Sequence, residues 1–310
     1  MNKLKKKVLW AVYKVAKKFY IRDKFSKYGK VVETDDEIII KVNQHKCNKA
    51  LHKDFALYCT GFSKSDEDTL GKIEELKPIV YEFDNITFPI QGAHVLSGNA
   101  DIIFSNCTFQ NDLKLSCGKV TFQNNKYLKW YGNHQMITGS VKELIMSGED
   151  FVNSYENKDY GKQKFGISID GDKLKIINSV LEAESLGQIG LYFNESYIEN
   201  SFITATEVFI DSKSIVSDHV GIYAEKGIIV DNENRDFTGN LVAPVVVYNN
   251  EYLRTSNEDK KEVDTELDIK RKELINVLKN LKNYCLDINN QKADKVRDSL
   301  NNKPISKILK

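Results

Sequence analysis

A short phrase returns along the middle of this chain about every 21 residues: an apolar residue, an Asn two places on, and another apolar residue three beyond that. It reads Phe83, Asn85, Phe88, then Phe104, Asn106, Phe109, then Phe122, Asn124, Tyr127, and again Ile176, Asn178, Leu181. With Glu195 and Ser212 in the Asn place it also reads from Phe193 to Ile198 and from Ile210 to Ile215. Weaker copies stand at Met146, Gly148 and Phe151, and at Val230 and Asn232. A unit repeating at this period cannot bury its own apolar face and must stack on the next. The phrase therefore constrains shape first and function very little.

The first residues of successive phrases are spaced 21, 18, 24, 30, 17, 17 and 20 apart, a regular coil with insertions on particular turns. The largest insertion, about Asn153 to Lys164, is expected to protrude. Short apolar stretches between phrases, such as Leu113–Leu115, Gly166–Ile169 and Val220–Tyr223, supply further strands in each turn. Two or three strands in a turn of about 20 residues is the stoichiometry of a parallel β-helix. Successive turns lie ~4.8 Å apart, so eight would make a rod of about 35 Å. Equivalent side chains then stack into apolar ladders, with Asn at the bend because it tolerates left-handed backbone angles and its amide can bond up and down the stack.

Residues 80 to 250, through phrases such as Phe104-Ser105-Asn106-Cys107-Thr108-Phe109, resemble the right-handed parallel β-helix superfamily of pectin-degrading enzymes, phage tailspikes and bactofilins. The resemblance implies a fold and no single family or activity. The left-handed hexapeptide-repeat acyltransferases are the alternative, but their six-residue repeat and active-site His pattern are missing here.

The expected fold is thus mainly β: a single-stranded parallel β-helix over residues 31–250, flanked by an N-terminal amphipathic helix (1–30) and a C-terminal helical or coiled-coil segment (251–310). Residues 31–78 are the least legible stretch, with a strand at Glu37–Val42 and a short helix within Gln44–Cys59. In the C-terminal segment a heptad carries Val263, Leu267, Lys270, Leu274, Val277, Leu281, Tyr284 and Ile288. Leu267, Leu274, Val277, Leu281 and Ile288 are its expected assembly seam.

The net charge of +1 conceals a segregation. Residues 1–30 hold eleven basic side chains and one acidic, residues 31–250 sum to −12, and residues 251–310 to +3. Five cysteines without a Cys-x-x-Cys pair argue against a disulfide framework and for a reducing compartment. The apolar run Val8–Ala16 is interrupted by Lys14 and followed by Lys17 and Lys18, unlike a secretory signal, and no run approaches the ~20 apolar residues a bilayer span needs. A cytoplasmic protein is expected, with its N-terminus able to hold it at the inner face of the membrane.

That N-terminus is the sharpest functional candidate. At 100° per residue, Leu4, Val8, Ala11, Val12, Val15, Ala16 and Phe19 share one side of the helix. Lys6, Lys7, Lys14, Lys17 and Lys18 gather opposite, with Trp10 among them. Two roles fit: contact with an anionic membrane surface, or a cap laid over the open end of the solenoid to cover its strand edges. Nucleic acid is a poor partner for a body of charge −12. The second candidate is a carboxylate set, in which 17-residue turns stack Glu182 on Glu199 and bring Asp218 near, as glycosidase chemistry requires. The spacing of His45, Cys47 and His52 does not make a four-ligand metal site. No phosphate-binding glycine loop or dinucleotide fingerprint is present, so no cofactor is expected. The leading expectation is a non-enzymatic scaffold or interaction protein that self-associates through its C-terminal helices. The alternative is a carbohydrate-binding or carbohydrate-active β-helix.

Overall fold

The computed structural model describes residues 3–66, 70, 76–89, 92–110, 112–128, 137–149, 166–183, 188–234, 236–243, 245–249 and 251–254. The insertion at Asn153–Lys164 and the heptad with Leu267, Leu274, Val277, Leu281 and Ile288 lie outside them.

Helix α1 (Lys3–Phe25) leads into strands β1 (Gly29–Glu33) and β2 (Ile38–Val42), helix α2 (Gln44–Asp54), strand β3 (Ala56–Tyr58) and a 3-10 turn at Lys64–Asp66. The repeat follows as β4 (Ile79–Asp84), β5 (Thr87–Phe88), β6 (Ala93–Leu96), β7 (Asp101–Ser105), β8 (Thr108–Phe109), β9 (Leu113–Gln123) and β10 (Lys126–Tyr127). Then come β11 (Ile137–Ser147), β12 (Ile167–Ile177), β13 (Val180–Glu182) and β14 (Gln188–Asn232). The last strands are β15 (Asn240–Val242), β16 (Val245–Tyr248) and β17 (Glu251–Arg254). Together they form a β-solenoid of about six turns.

Parallel pairing from turn to turn builds the expected ladders. One inward column runs Ile40, Tyr81, Ile102, Val120, Leu144, Leu174, Ser196. Its neighbour runs Phe83, Phe104, Phe122, Met146, Ile176, Ile198. A third, on the short strands past the bend, carries Phe88, Phe109 and Tyr127. Phe83, Phe104 and Phe122 lie 5.0 and 5.1 Å apart, and Phe88, Phe109 and Tyr127 lie 4.8 and 5.4 Å apart. Each such pair adds about 0.5–1.5 kcal/mol beyond the area it buries.

The bend between the second and third segments is set by stereochemistry. Asn85, Asn106, Asn124, Asn178 and Asn200 have φ between 45° and 55°, with Gly148 at 68° in the same series. These are left-handed angles that Asn and Gly adopt at low cost. Register corrects the reading of the fifth copy. Ile176 pairs with Ile198, and Leu181 with Ile203, so the phrase continues as Ile198, Asn200, Ile203 rather than Phe193, Glu195, Ile198. His219, at φ 51°, is the next left-handed residue in the chain, in place of the expected bend at Ser212. The Phe193 and Ile210 copies matched apolar spacing only, which a continuous strand such as β14 offers in more than one frame. The count of eight turns falls accordingly.

The hydrogen-bonded polar ladder expected at the bend is found one residue beyond the Asn positions. The Cys107 amide donates to Asn125 Oδ1 (2.8 Å), Asn125 to Glu149 Oε1 (3.4 Å), Glu149 to Ser179 Oγ (3.2 Å) and Ser179 to Ser201 Oγ (3.2 Å). All five residues are buried. Each turn's side chain thus satisfies the amide of the turn before it.

The first rung is covered by β1, antiparallel to β2, while β17 lies antiparallel on β16 near the other end. A strand reversed in this way replaces an open parallel edge. Helix α2 is capped by Asn43, whose side chain accepts from the Lys46 amide, and sends Cys47 and Leu51 into the core.

Candidate functional site

Helix α1 has no Pro or Gly to break it and ends at Phe25, four residues before Gly29. Its last turns are anchored most firmly among the described residues. Ile21 and Phe25 are buried, with Phe25 edge-on to Phe62 at 5.2 Å. Asp66, which has no exposed surface, holds them in place. Its carboxylate accepts from Lys24 Nζ, from the Tyr20 hydroxyl (2.7 Å), and from the Ser63 amide (2.6 Å) and hydroxyl (2.8 Å). Burial works to raise the Asp66 pKa. The hydrogen bonds from Lys24, Tyr20 and Ser63 overcome it and hold the carboxyl well below its ordinary range. Farther out, the Tyr13 hydroxyl donates to the Leu70 carbonyl at 3.3 Å.

These anchors occupy the side of the helix that bears Tyr13, Tyr20, Ile21, Lys24 and Phe25. The opposite side of the helix is exposed. Val12, Val15 and Phe19 are 60, 56 and 67% exposed, with Leu9 at the margin 57% exposed. The rod's end is covered by β1, α2 and the last turn of α1. The docking side was set by partners about forty residues away in sequence, which helical periodicity does not register. Trp10 is also exposed, stacked on Tyr13 at 5.4 Å with Lys14 Nζ 5.7 Å from its ring. Lys17 is half-buried and Lys18 exposed, while Lys6 and Lys7 belong to the first turns of the helix.

Beside the free side, between α1 and the β1–β2 hairpin, lies an open groove of about 640 Å³. Its charged lining is Lys18, Arg22, Lys30, Lys41 and Lys46 against the single acid Glu33. Lys18 and Arg22 sit one turn from Val15 and Phe19, so the groove and the apolar strip share an edge.

The carboxylates separate. Glu182 pairs in register with Thr204 and Glu199 with Ile177, so Glu182 does not stack on Glu199. The 17-residue alignment behind that expectation fails because this turn is longer. Glu182 is buried, past the bend; the Tyr197 phenol pKa is raised by its hydrogen bond to Glu199 and, more weakly, by the charge of Asp218. Glu199 accepts from the Tyr197 hydroxyl at 2.9 Å, and Asp218 pairs with His219 Nδ1 at 2.7 Å.

One titrating feature lay outside the sequence reading. Glu149 is wholly buried, and burial pushes its carboxyl up to about 7, against hydrogen bonds from Tyr127 and Asn125 that favour the ion. The signal was available: it follows Gly148 as Cys107 follows Asn106, in a column of small or polar residues that face inward. The thiols of Cys47 and Cys107 are pushed up to about 12 by burial, and that of Cys117 to about 11. Such thiols are weak nucleophiles. On α2, Cys47 points inward and His45 and His52 outward, and no group of three metal-ligating side chains gathers among the described residues.

No described helix is long and apolar enough to cross a membrane. No family model, curated protein or solved structure matches the chain.

Proposed function

We propose that this protein is a non-enzymatic β-solenoid scaffold, held peripherally at the anionic inner face of a membrane by the free side of α1. The observation that carries this reading is the strip of Val12, Val15 and Phe19, exposed among the described residues and anchored from behind so that it faces away from the body. Apolar burial at the acyl boundary and roughly 1 kcal/mol for each nearby Lys or Arg are what surface binding requires. Lys14, Lys18 and Arg22 flank the strip on one side and supply the charge. A body of net −12 is repelled by the same surface, which favours a rod held off the lipid by its basic end. On sequence grounds the heptad from Leu267 to Ile288 adds self-association.

The test is co-sedimentation of the full chain with phosphatidylglycerol-containing and with neutral vesicles, beside a Val15→Glu/Phe19→Glu variant. Binding is expected to require anionic lipid, to weaken with salt, and to fall at least about tenfold in the variant. Equal sedimentation of parent and variant would overturn the reading.

A further inference from the structure

The groove between α1 and the β1–β2 hairpin is not explained by surface binding alone, which needs only a basic flank. Its charges are uneven in how they are used. Glu33 is engaged by Lys77 (3.3 Å), Lys41 by Glu82 (3.4 Å), and Lys46 donates to the Ser26 carbonyl (2.8 Å). Lys18, Arg22 and Lys30 have no ion-pair partner among the described residues. Lys24, also near the end of α1, is turned away to Asp66. Three cations without an ion-pair partner among the described residues, one from β1 and two from α1, therefore line one concave space of a size that holds small ligands.

We propose that this groove binds the phosphomonoester headgroup of an anionic lipid whose acyl chains lie against Val15 and Phe19. The proposal rests on the membrane reading above and adds a headgroup preference to it. A phosphomonoester carries about −1.5 to −2 charge and three acceptor oxygens, which match three cations. A diester headgroup carries one charge and two free oxygens, and would leave part of the groove unpaired. The Arg22 guanidinium offers two parallel donors to one phosphate, while Lys18 and Lys30 act as point charges. Position supports a lipid over a soluble source, because Lys18 and Arg22 border both the groove and the apolar strip. One molecule can thus place phosphate in the first and chain along the second.

The experiment uses the full chain and vesicles matched in surface charge, one set containing phosphatidate and the other phosphatidylglycerol. The parent is expected to bind the phosphatidate vesicles about tenfold more tightly. Lys30→Gln should bring the affinity ratio close to one, and Lys30→Arg should restore it. Lys30 is exposed, and an unchanged melting curve confirms that the variants fold. Binding to both vesicles with a ratio near one, in parent and variant alike, overturns the groove and leaves the membrane reading standing. No binding to either vesicle overturns the membrane reading and the lipid assignment with it. Glycerol 3-phosphate, inorganic phosphate and an oligonucleotide form the soluble arms. Lys30-dependent binding of any of them as tight as that to phosphatidate vesicles would overturn the lipid source.

Discussion

The solenoid body and the N-terminal helix both present rows of large apolar side chains, with opposite outcomes. In the body, Phe83, Phe88, Phe104, Phe109 and Phe122 are at most 2% exposed, each covered by its equivalent on the next turn. On α1, Val12, Val15 and Phe19 are more than half exposed although their spacing is equally regular. Repetition supplies the body's residues with partners of their own kind. The helix has no second copy within the chain, and its anchoring groups lie on the other side. A periodic apolar row is thus a statement about burial only when the sequence also supplies what covers it.

The comparison breaks most visibly in the body. Phe104→Ala should cost about 3–5 kcal/mol, since Phe104 touches the rings of Phe83, Phe88, Phe109 and Phe122. Denaturant melts read it directly, and a cost under about 1 kcal/mol would refute the interlocked ladder. Glu149 gives the body a pH dependence of opposite sign to the usual carboxylate. Between its ordinary value of 4.5 and about 7 the unfolded chain releases a proton that the folded chain keeps. Stability should therefore fall as pH rises across that window, by on the order of 3 kcal/mol in all, and be nearly flat above it. Glu149→Gln, which retains an acceptor for Tyr127, should abolish the slope.

Asp66 behaves in the reverse way. Its depressed carboxyl stabilises the docked helix above its ordinary pKa and loses that contribution as pH falls below it. Asp66→Asn should loosen α1 by about 2 kcal/mol, visible as faster amide exchange in Ile21–Phe25 with little change in the solenoid. The smallest effect is expected on the free strip. Phe19→Ser should change stability by no more than about 0.5 kcal/mol, and a larger loss would mean that Phe19 is buried in solution.

The fold was legible where the argument was local. Strand β2 and helix α2 fell within the stretches assigned to them, and the left-handed bends fell on Asn85, Asn106, Asn124 and Asn178. Ile198-Asn200-Ile203 went unread although it matches the phrase, because an offset copy five residues earlier matched the spacing too. The candidate site was legible by half. The apolar strip and its lysines were visible on a helical projection, but Lys30, Lys41 and Lys46 come from β1, β2 and α2, and nothing in their local spacing joins them to α1.

Sequence by itself determined the repeat, its ladders and its bends, because each follows from interactions between equivalent residues on adjacent turns and from the backbone preferences of Asn and Gly. Only the tertiary structure decided which side of α1 docks, which carboxylates separate, and where cations without an ion-pair partner among the described residues converge. Those outcomes depend on contacts between residues far apart in the chain, such as Asp66 with Lys24 or Phe25 with Phe62, and such contacts leave no period in the sequence.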